Sequence, residues 1–183
     1  MSNKEIQSKT LSLLHTVTAA LPQAEERQGQ NEMAVAIALA VDTKRHLIVQ
    51  AGTGTGKTLG YLVPLIASGK RVVVSTYTKA LQDQLAANDL PLLSKVLGKE
   101  LNRHISWAVL KGRSNYICVQ RVDEIVSPKH TKLDLETTPA KVTKEIAKLS
   151  EWATQTDTGD QGDLTWSPSD QAWRMVSVGS DEC

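Results

Sequence analysis

Phenylalanine is absent from this 183-residue chain, and tyrosine and tryptophan bring the aromatic content to only 4%. The core must therefore be built from Leu, Val, Ile and Ala, and Trp107, Trp152, Trp166 and Trp173 read as packing residues rather than a stacking platform. With two cysteines, Cys118 and Cys183, there is no disulfide framework, and each is either inert or reserved for chemistry. No run approaches the roughly 18 consecutive apolar residues of a membrane helix, and the segment after Met1 lacks the apolar centre of a signal peptide. A cytoplasmic chain without a membrane partner is expected. His15, His46, His104 and His130 stand apart without metal or triad spacing, and no internal repeat is visible.

What is present is an ordinary globular balance, with 40% hydrophobic and 22% charged residues in 19.9 kDa, enough for one domain of normal size. The net charge of +1 conceals an asymmetry. Residues 1–126 carry 15 basic and 10 acidic side chains, whereas 127–183 carry 6 and 10, so the front of the chain is the place for polyanions.

Leu11, Leu14, Val17 and Leu21 recur at helical spacing until Pro22, and Met33, Ile37 and Val41 repeat the pattern over 24–41. The run Leu47–Ala51 is short, apolar and closed by glycine, as a buried parallel strand is. Further strands are expected at Arg71–Thr76 and Ile105–Leu110, with helical stretches between, so the order reads β-α-β-α. Past Val126 a polar segment leads to a helix marked by Val142, Ile146, Leu149 and Ala153. The stretch 154–163 has no apolar side chain after Ala153 and reads as a flexible loop. Ser167-Pro168-Ser169-Asp170 then offers a serine cap and an N1 proline for a short helix through Trp173.

Ala51-x-x-x-x-Gly56-Lys57-Thr58 fits a phosphate-binding loop, with alanine in place of the usual first glycine. A strand ending at Ala51 and a helix opening at Lys57 would converge backbone N–H groups on one anion. Gly52, Gly54 and Gly56 permit positive φ and close approach, with Thr53 and Thr55 between them. Lys57 would reach the β- and γ-phosphates and the Thr58 hydroxyl would hold magnesium, making these two the catalytic candidates and pointing to ATP or GTP. Thr76, Thr78 and Gln82 follow an expected strand end, where short polar groups suit contacts to a DNA backbone. Lys111 and Arg113 add cations, and Tyr116 a face for a base; the bland readings are turn residues and solvated charge.

Gln50–Pro64 resembles motif I of superfamily 2 helicases, in particular the DinG and XPD branch with its iron–sulfur domain. Ser75–Leu85 is similar to that branch's motif Ia, and Leu110–Cys118 to the start of its iron–sulfur domain. Arg27-x-x-Gln30-x-x-Met33 resembles the adenine-recognition element, which makes Arg27 and Gln30 nucleotide-binding candidates. The resemblance implies an ATP-dependent DNA helicase translocating 5′ to 3′ on single-stranded DNA, a monomer using ATP, magnesium and a 4Fe-4S cluster. It implies an α/β fold: a helix over 1–23, a partial RecA-like domain with a parallel sheet over 24–126, and a mostly helical partial iron–sulfur insertion over 127–183. Cys118 and Cys183 would be two of four cluster ligands. A second reading makes Asp181-Glu182-Cys183 the start of a Walker B box, but Gly179-Ser180 interrupts the strand it requires.

Complete members continue with two more cysteines, a DEAH-like box and a second RecA-like domain bearing an arginine finger. The chain therefore reads as the front part of such an enzyme, without turnover of its own, because an arginine finger alone supplies about 10³ to 10⁵ in rate. Two alternatives are a non-catalytic nucleotide- and DNA-binding fragment and a small P-loop kinase. The kinase would need an arginine-rich lid, and 127–183 contains only Arg174.

Overall fold

A computed structural model describes residues 2–22, 24, 25, 27–52, 54–127, 138–179 and 182. The chain forms two compact units, 1–109 and 110–183.

In the first unit, α1 (Asn3–Ala19) opens with a capping box. The Ser2 hydroxyl accepts from the Glu5 N–H at 3.3 Å and the Ser2 N–H donates to Glu5 Oε2 at 2.7 Å, pairing donors the helix leaves open. Helix α1 buries Ile6, Thr10, Leu13, Leu14 and Val17 on one stripe. Helix α2 (Gln28–Thr43) stops where Lys44 turns left-handed at φ 55°. Helix α3 (Lys57–Ala67) buries Leu59, Leu62 and Val63. Helix α4 (Lys79–Gln84) passes through a π turn, Leu85–Asp89, into α5 (Leu90–Glu100). Pro91 sits in the first turn of α5, where it lacks an N–H for the preceding turn and its ring crowds the carbonyl there. A wider turn accommodates both, and the Leu90 N–H bonds back to the Leu85 carbonyl. Helix α1 packs on α2, α3 and α5. Their shared core includes Leu14, Val17, Ala34, Val63, Leu93 and Leu97.

The α/β expectation is corrected here. No sheet forms among the described residues, which are helical apart from turns, two isolated bridges and segments without regular structure. The only ladders among them are two isolated antiparallel bridges in the second unit, Tyr116 with Asp160 and Ile117 with Ser177. The runs over 47–51, 71–76 and 105–110 are assigned to no strand. Ile48, Val73 and Leu110 are 95%, 91% and 85% exposed, so these are not strands buried on both faces. A helix pairs its backbone within itself, whereas a strand exists only through neighbours, and apolar runs alone do not bring them.

The second unit gathers α6 (Val119–Val126), α7 (Ala140–Ala153) and α8 (Asp170–Val176) around Ile117, Val122, Ile146, Leu149, Trp173 and Val176. Trp173 Nε1 donates to the Ser114 carbonyl at 2.7 Å, and Lys148 lies 4.2 Å over the Trp166 ring. The expected cap shifts: Ser169, not Ser167, accepts from the Ala172 N–H at 3.3 Å. The polar stretch 154–163 is folded rather than loose. The Ile117 N–H donates to the Gly159 carbonyl at 2.9 Å, Gly159 turns at φ 69°, and Asp160 caps a 3-10 turn over Gln161–Asp163. Hydrogen bonds hold it where apolar contacts are absent. No helix of the described residues is long and apolar enough to cross a membrane.

Leu93 is fully buried, so Leu93→Ala should cost about 2–5 kcal/mol, read from the denaturant midpoint at unchanged slope. In the second unit the Ser169 hydroxyl and N–H both donate to Glu145, holding its carboxyl below the ordinary glutamate range. A depressed carboxyl contributes stability above that range and loses it as pH falls through the lowered value. Ser169→Ala should therefore reduce stability near neutral pH, by about 0.5–2 kcal/mol through the lost cap alone, and flatten the acid limb. An acid titration of the variant followed by ellipticity that retains the original limb would refute this coupling.

Candidate functional site

The glycine-rich loop keeps its expected place before a helix although no sheet supports it. Gly54 and Gly56 are left-handed at φ 77° and 73°, and Gly56 is the residue from which α3 opens. Among residues 57–60, the Gly60 N–H is the first to find a helical carbonyl, that of Gly56 at 3.1 Å. The earlier N–H groups and the positive end of the helix dipole thus lie at the loop. Lys57 folds back over it: its ammonium donates to the Ala51 carbonyl at 3.2 Å and the Gly52 carbonyl at 2.6 Å, and the Thr55 hydroxyl donates to the Gly52 carbonyl at 3.0 Å. Thr53 lies outside the described residues.

Helix α2 braces the loop from one side. Gln30 is buried and its Nε2 donates to the Gly56 carbonyl at 2.8 Å, while the Arg27 guanidinium donates to the Gly54 carbonyl and pairs with Glu25 at 2.6 Å. A β-carbon on Gly56 would lie 2.2 Å from Gln30 Nε2, and one on Gly60 would lie 3.3 Å from Met33 Sδ. Arg27, Gln30 and Met33, quoted together from sequence, thus meet α3 and its loop in space. Thr58 faces Tyr61, whose phenol burial pushes above its ordinary value against the opposing effect of a hydrogen bond with Thr58. Tyr61 was not singled out from sequence; its position three residues after Thr58 on a helix was the available signal.

The nucleic-acid candidates divide between the two units, Thr76, Thr78 and Gln82 in the first and Lys111, Arg113 and Tyr116 in the second. The Thr76 hydroxyl reaches the Thr78 carbonyl at 3.5 Å, and Thr78 caps α4 by accepting from the Leu81 N–H at 3.3 Å. Gln82 is half-buried on α4. In the second unit Lys111 is nearly buried and pairs with Asp160 at 2.8 Å, and its N–H donates to the Tyr116 hydroxyl at 2.9 Å. Asp160 was missed because its distance along the chain from Lys111 hides the pair. Arg113 is exposed on a 3-10 turn.

Cys118 is a half-buried free thiol at the start of α6, its N–H donating to the Val176 carbonyl at 2.7 Å. Cys183 and Asp181 lie outside the described residues. Glu182 accepts from the Gly179 N–H at 2.8 Å and pairs with Arg121 at 3.0 Å; both lower its carboxyl, the Gly179 bond most. No three His, Cys, Asp or Glu side chains gather among the described residues in a way that could hold a metal ion. The expected cofactor set of an enzyme turning over ATP with magnesium and carrying a 4Fe-4S cluster is corrected accordingly: a cluster needs converging thiolates, and ATP turnover, as distinct from nucleotide binding, needs a platform with a sheet. With that set goes the expectation of an ATP-dependent DNA helicase, hydrolase or P-loop NTPase. A motor must hold its phosphate loop rigidly against catalytic groups, and the described residues carry helices without the sheet that does so.

Fold and loop together define a helical protein organised around a glycine-rich, lysine-bearing turn at a helix N-terminus. Residues 28–153 match the family model for DEAD/DEAH box helicase, more than half of the chain, and the chain belongs to that family. It is 42% identical over 186 residues to the ATP-dependent helicase DinG of Mycobacterium tuberculosis (strain ATCC 25618 / H37Rv), covering 93% of this chain and 27% of that relative. It is 39% identical over 165 residues to the ATP-dependent DNA helicase YoaA of Escherichia coli (strain K12), covering 90% and 24%. With the 3'-5' exonuclease DinG of Bacillus subtilis (strain 168) the identity is 32% over 164 residues, covering 87% and 16%. The chain spans about a quarter or less of the length of these relatives.

Gly56→Ala should destabilise the first unit by about 1–3 kcal/mol, since it adds left-handed strain to a clash with Gln30. Gly52→Ala meets no atom within 4 Å and serves as the control. Equal thermal midpoints for the two variants would rule out the brace from α2.

Proposed function

We propose that this chain is a non-catalytic nucleotide- and DNA-binding fragment of the DinG-like group. The observation that carries the reading is the loop around Gly54, Gly56 and Lys57, held by Arg27 and Gln30 at the N-terminus of α3. An arriving polyphosphate would take over the Lys57 ammonium from the Ala51 and Gly52 carbonyls and meet the open N–H groups of the first turn. Ala51, Gly52 and Thr55 line the same loop, Thr53 is a candidate by its place in the sequence between Gly52 and Gly54, and Thr58 offers a hydroxyl beside the loop. The identity with relatives named DNA helicases supports DNA as the second ligand. Thr76, Thr78, Gln82, Lys111, Arg113 and Tyr116 are its proposed contacts, Lys111 reaching a phosphate only by giving up Asp160.

Titration of the 183-residue chain with a fluorescent ATP analogue tests the reading. Saturable binding is expected, weakened at least about tenfold by Lys57→Ala, as loss of a charged hydrogen bond predicts. Phosphate release should stay far below typical enzyme rates of about 1–10³ per second, with or without single-stranded DNA. Unchanged affinity in the variant would remove the loop from the reading, and DNA-stimulated turnover would overturn the non-catalytic assignment. DNA affinity should fall with salt, and Arg113→Ala should reduce that slope by up to about one unit.

A further inference from the structure

The polar segment 154–163 of the second unit, which has no apolar side chain, lies against two of the residues proposed above to meet DNA. Asp160 forms an antiparallel bridge with Tyr116, and the Ile117 N–H donates to the Gly159 carbonyl at 2.9 Å. The Asp160 carboxylate pairs with the Lys111 ammonium at 2.8 Å, a contact that leaves the two side chains only 16% and 8% exposed. The segment then turns around that ammonium. A β-carbon on Gly162 would stand 3.2 Å from Lys111 Nζ, and the Gly162 N–H donates to Asp160 Oδ1 at 2.9 Å. Lys111 also fixes the Tyr116 phenol, because its N–H donates to the hydroxyl at 2.9 Å. One turn thus engages the cation and, through the bridge, the backbone of the aromatic residue near it.

Two properties make this contact exchangeable. The segment carries Asp157, Asp160 and Asp163 and no basic residue, so what it offers Lys111 is a carboxylate oxyanion, chemically akin to a phosphate oxygen. It is also tied to the unit by polar contacts, which another polar partner replaces at small net cost, whereas the apolar core lies in Val122, Ile146, Leu149, Trp173 and Val176. Gly159 is the one close approach to that core, since a β-carbon there would stand 3.4 Å from Ile117 Cγ2. Ile117 also bridges to Ser177, and the Cys118 N–H bonds to the Val176 carbonyl at 2.7 Å, contacts in which the segment takes no part.

We propose that 154–163 is a displaceable strap in which Asp160 holds Lys111 in the place of a DNA phosphate, so that the nucleic acid engages this unit by exchanging one oxyanion for another. The proposal rests on the DNA reading of Lys111 and Tyr116 given above. The strap sets the threshold a polyanion must pass, because it has to offer Lys111 more than Asp160 does.

The test titrates the 183-residue chain with a fluorescein-labelled oligodeoxythymidylate, followed by anisotropy. Asp160→Asn keeps the size of the side chain and removes its charge, and it should tighten binding about tenfold, the equivalent of one charged hydrogen bond no longer opposed. Asp157→Asn, at an exposed carboxylate of the same segment, should tighten binding by less than about twofold and measures the general effect of the charge. In a Lys111→Ala background the gain from Asp160→Asn should vanish. On the parent chain, saturating oligonucleotide should speed deuterium exchange at the Ile117 and Gly162 amides, which bond to the Gly159 carbonyl and Asp160 Oδ1. A purely structural pair predicts unchanged or weaker binding by Asp160→Asn and unchanged or slower exchange, and either result overturns the strap. So does an equal gain from Asp157→Asn, a gain that persists without Lys111, or equal acceleration of exchange by inorganic phosphate, which would make a free anion the occupant. If the parent and its variants alike fail to bind the oligonucleotide, the DNA reading falls and the strap falls with it; binding without the Asp160 effect removes the strap alone. Should Asp160→Asn fail to fold by circular dichroism, amide exchange on the parent chain decides the matter.

Discussion

The close approach of α2 and α3 is the contact on which the first unit and its loop both depend. It is possible because Gly56 and Gly60 lack β-carbons where Gln30 and Met33 pass. The same absence lets Gly56 turn left-handed and start α3, so one small residue sets the helix spacing and also aims the first turn of N–H groups at the loop. Arg27 and Gln30 donate to loop carbonyls from a helix whose Ala34 is buried in the core. The loop's shape is therefore tied to apolar packing.

The three runs expected as strands show the complementary limit. Helices α1, α2, α3 and α5 satisfy their own backbones and need only one apolar stripe covered, which they provide for one another. An extended run needs partners along its edge as well as cover on its face. Ile48, Val73 and Leu110, one from each run, are almost bare to solvent, although the runs have the composition of buried strands. Their residue types were read correctly, but the pairing inferred from them was not found.

In the second unit, polar contacts do work that apolar periodicity cannot announce. Lys111 with Asp160, the Ile117 N–H with the Gly159 carbonyl, and Glu145 with Ser169 each join segments remote in sequence. A lysine beside an arginine and a tyrosine looks like a nucleic-acid contact in sequence, and becomes a nearly buried ion pair once the polar stretch folds over it. Removing one partner of such a pair leaves an uncompensated charge, so its first role is to hold the unit together.

Local chemistry was legible in the sequence. The apolar spacing of α1 and α7, the helix following Gly56-Lys57-Thr58, the glycine turns and the short helix containing Trp173 are all encoded by neighbours within a few residues. Membership of the helicase family is legible too, because motif order is a property of the chain alone. Tertiary structure alone decided which apolar runs found partners, that Gln30 would stand against Gly56, that Lys111 would be claimed by Asp160, and that Cys118 would stand without a metal-binding group among the described residues. Each of these depends on groups brought together from distant positions, where hydrogen bonding and burial are settled by three-dimensional neighbours rather than by spacing along the chain.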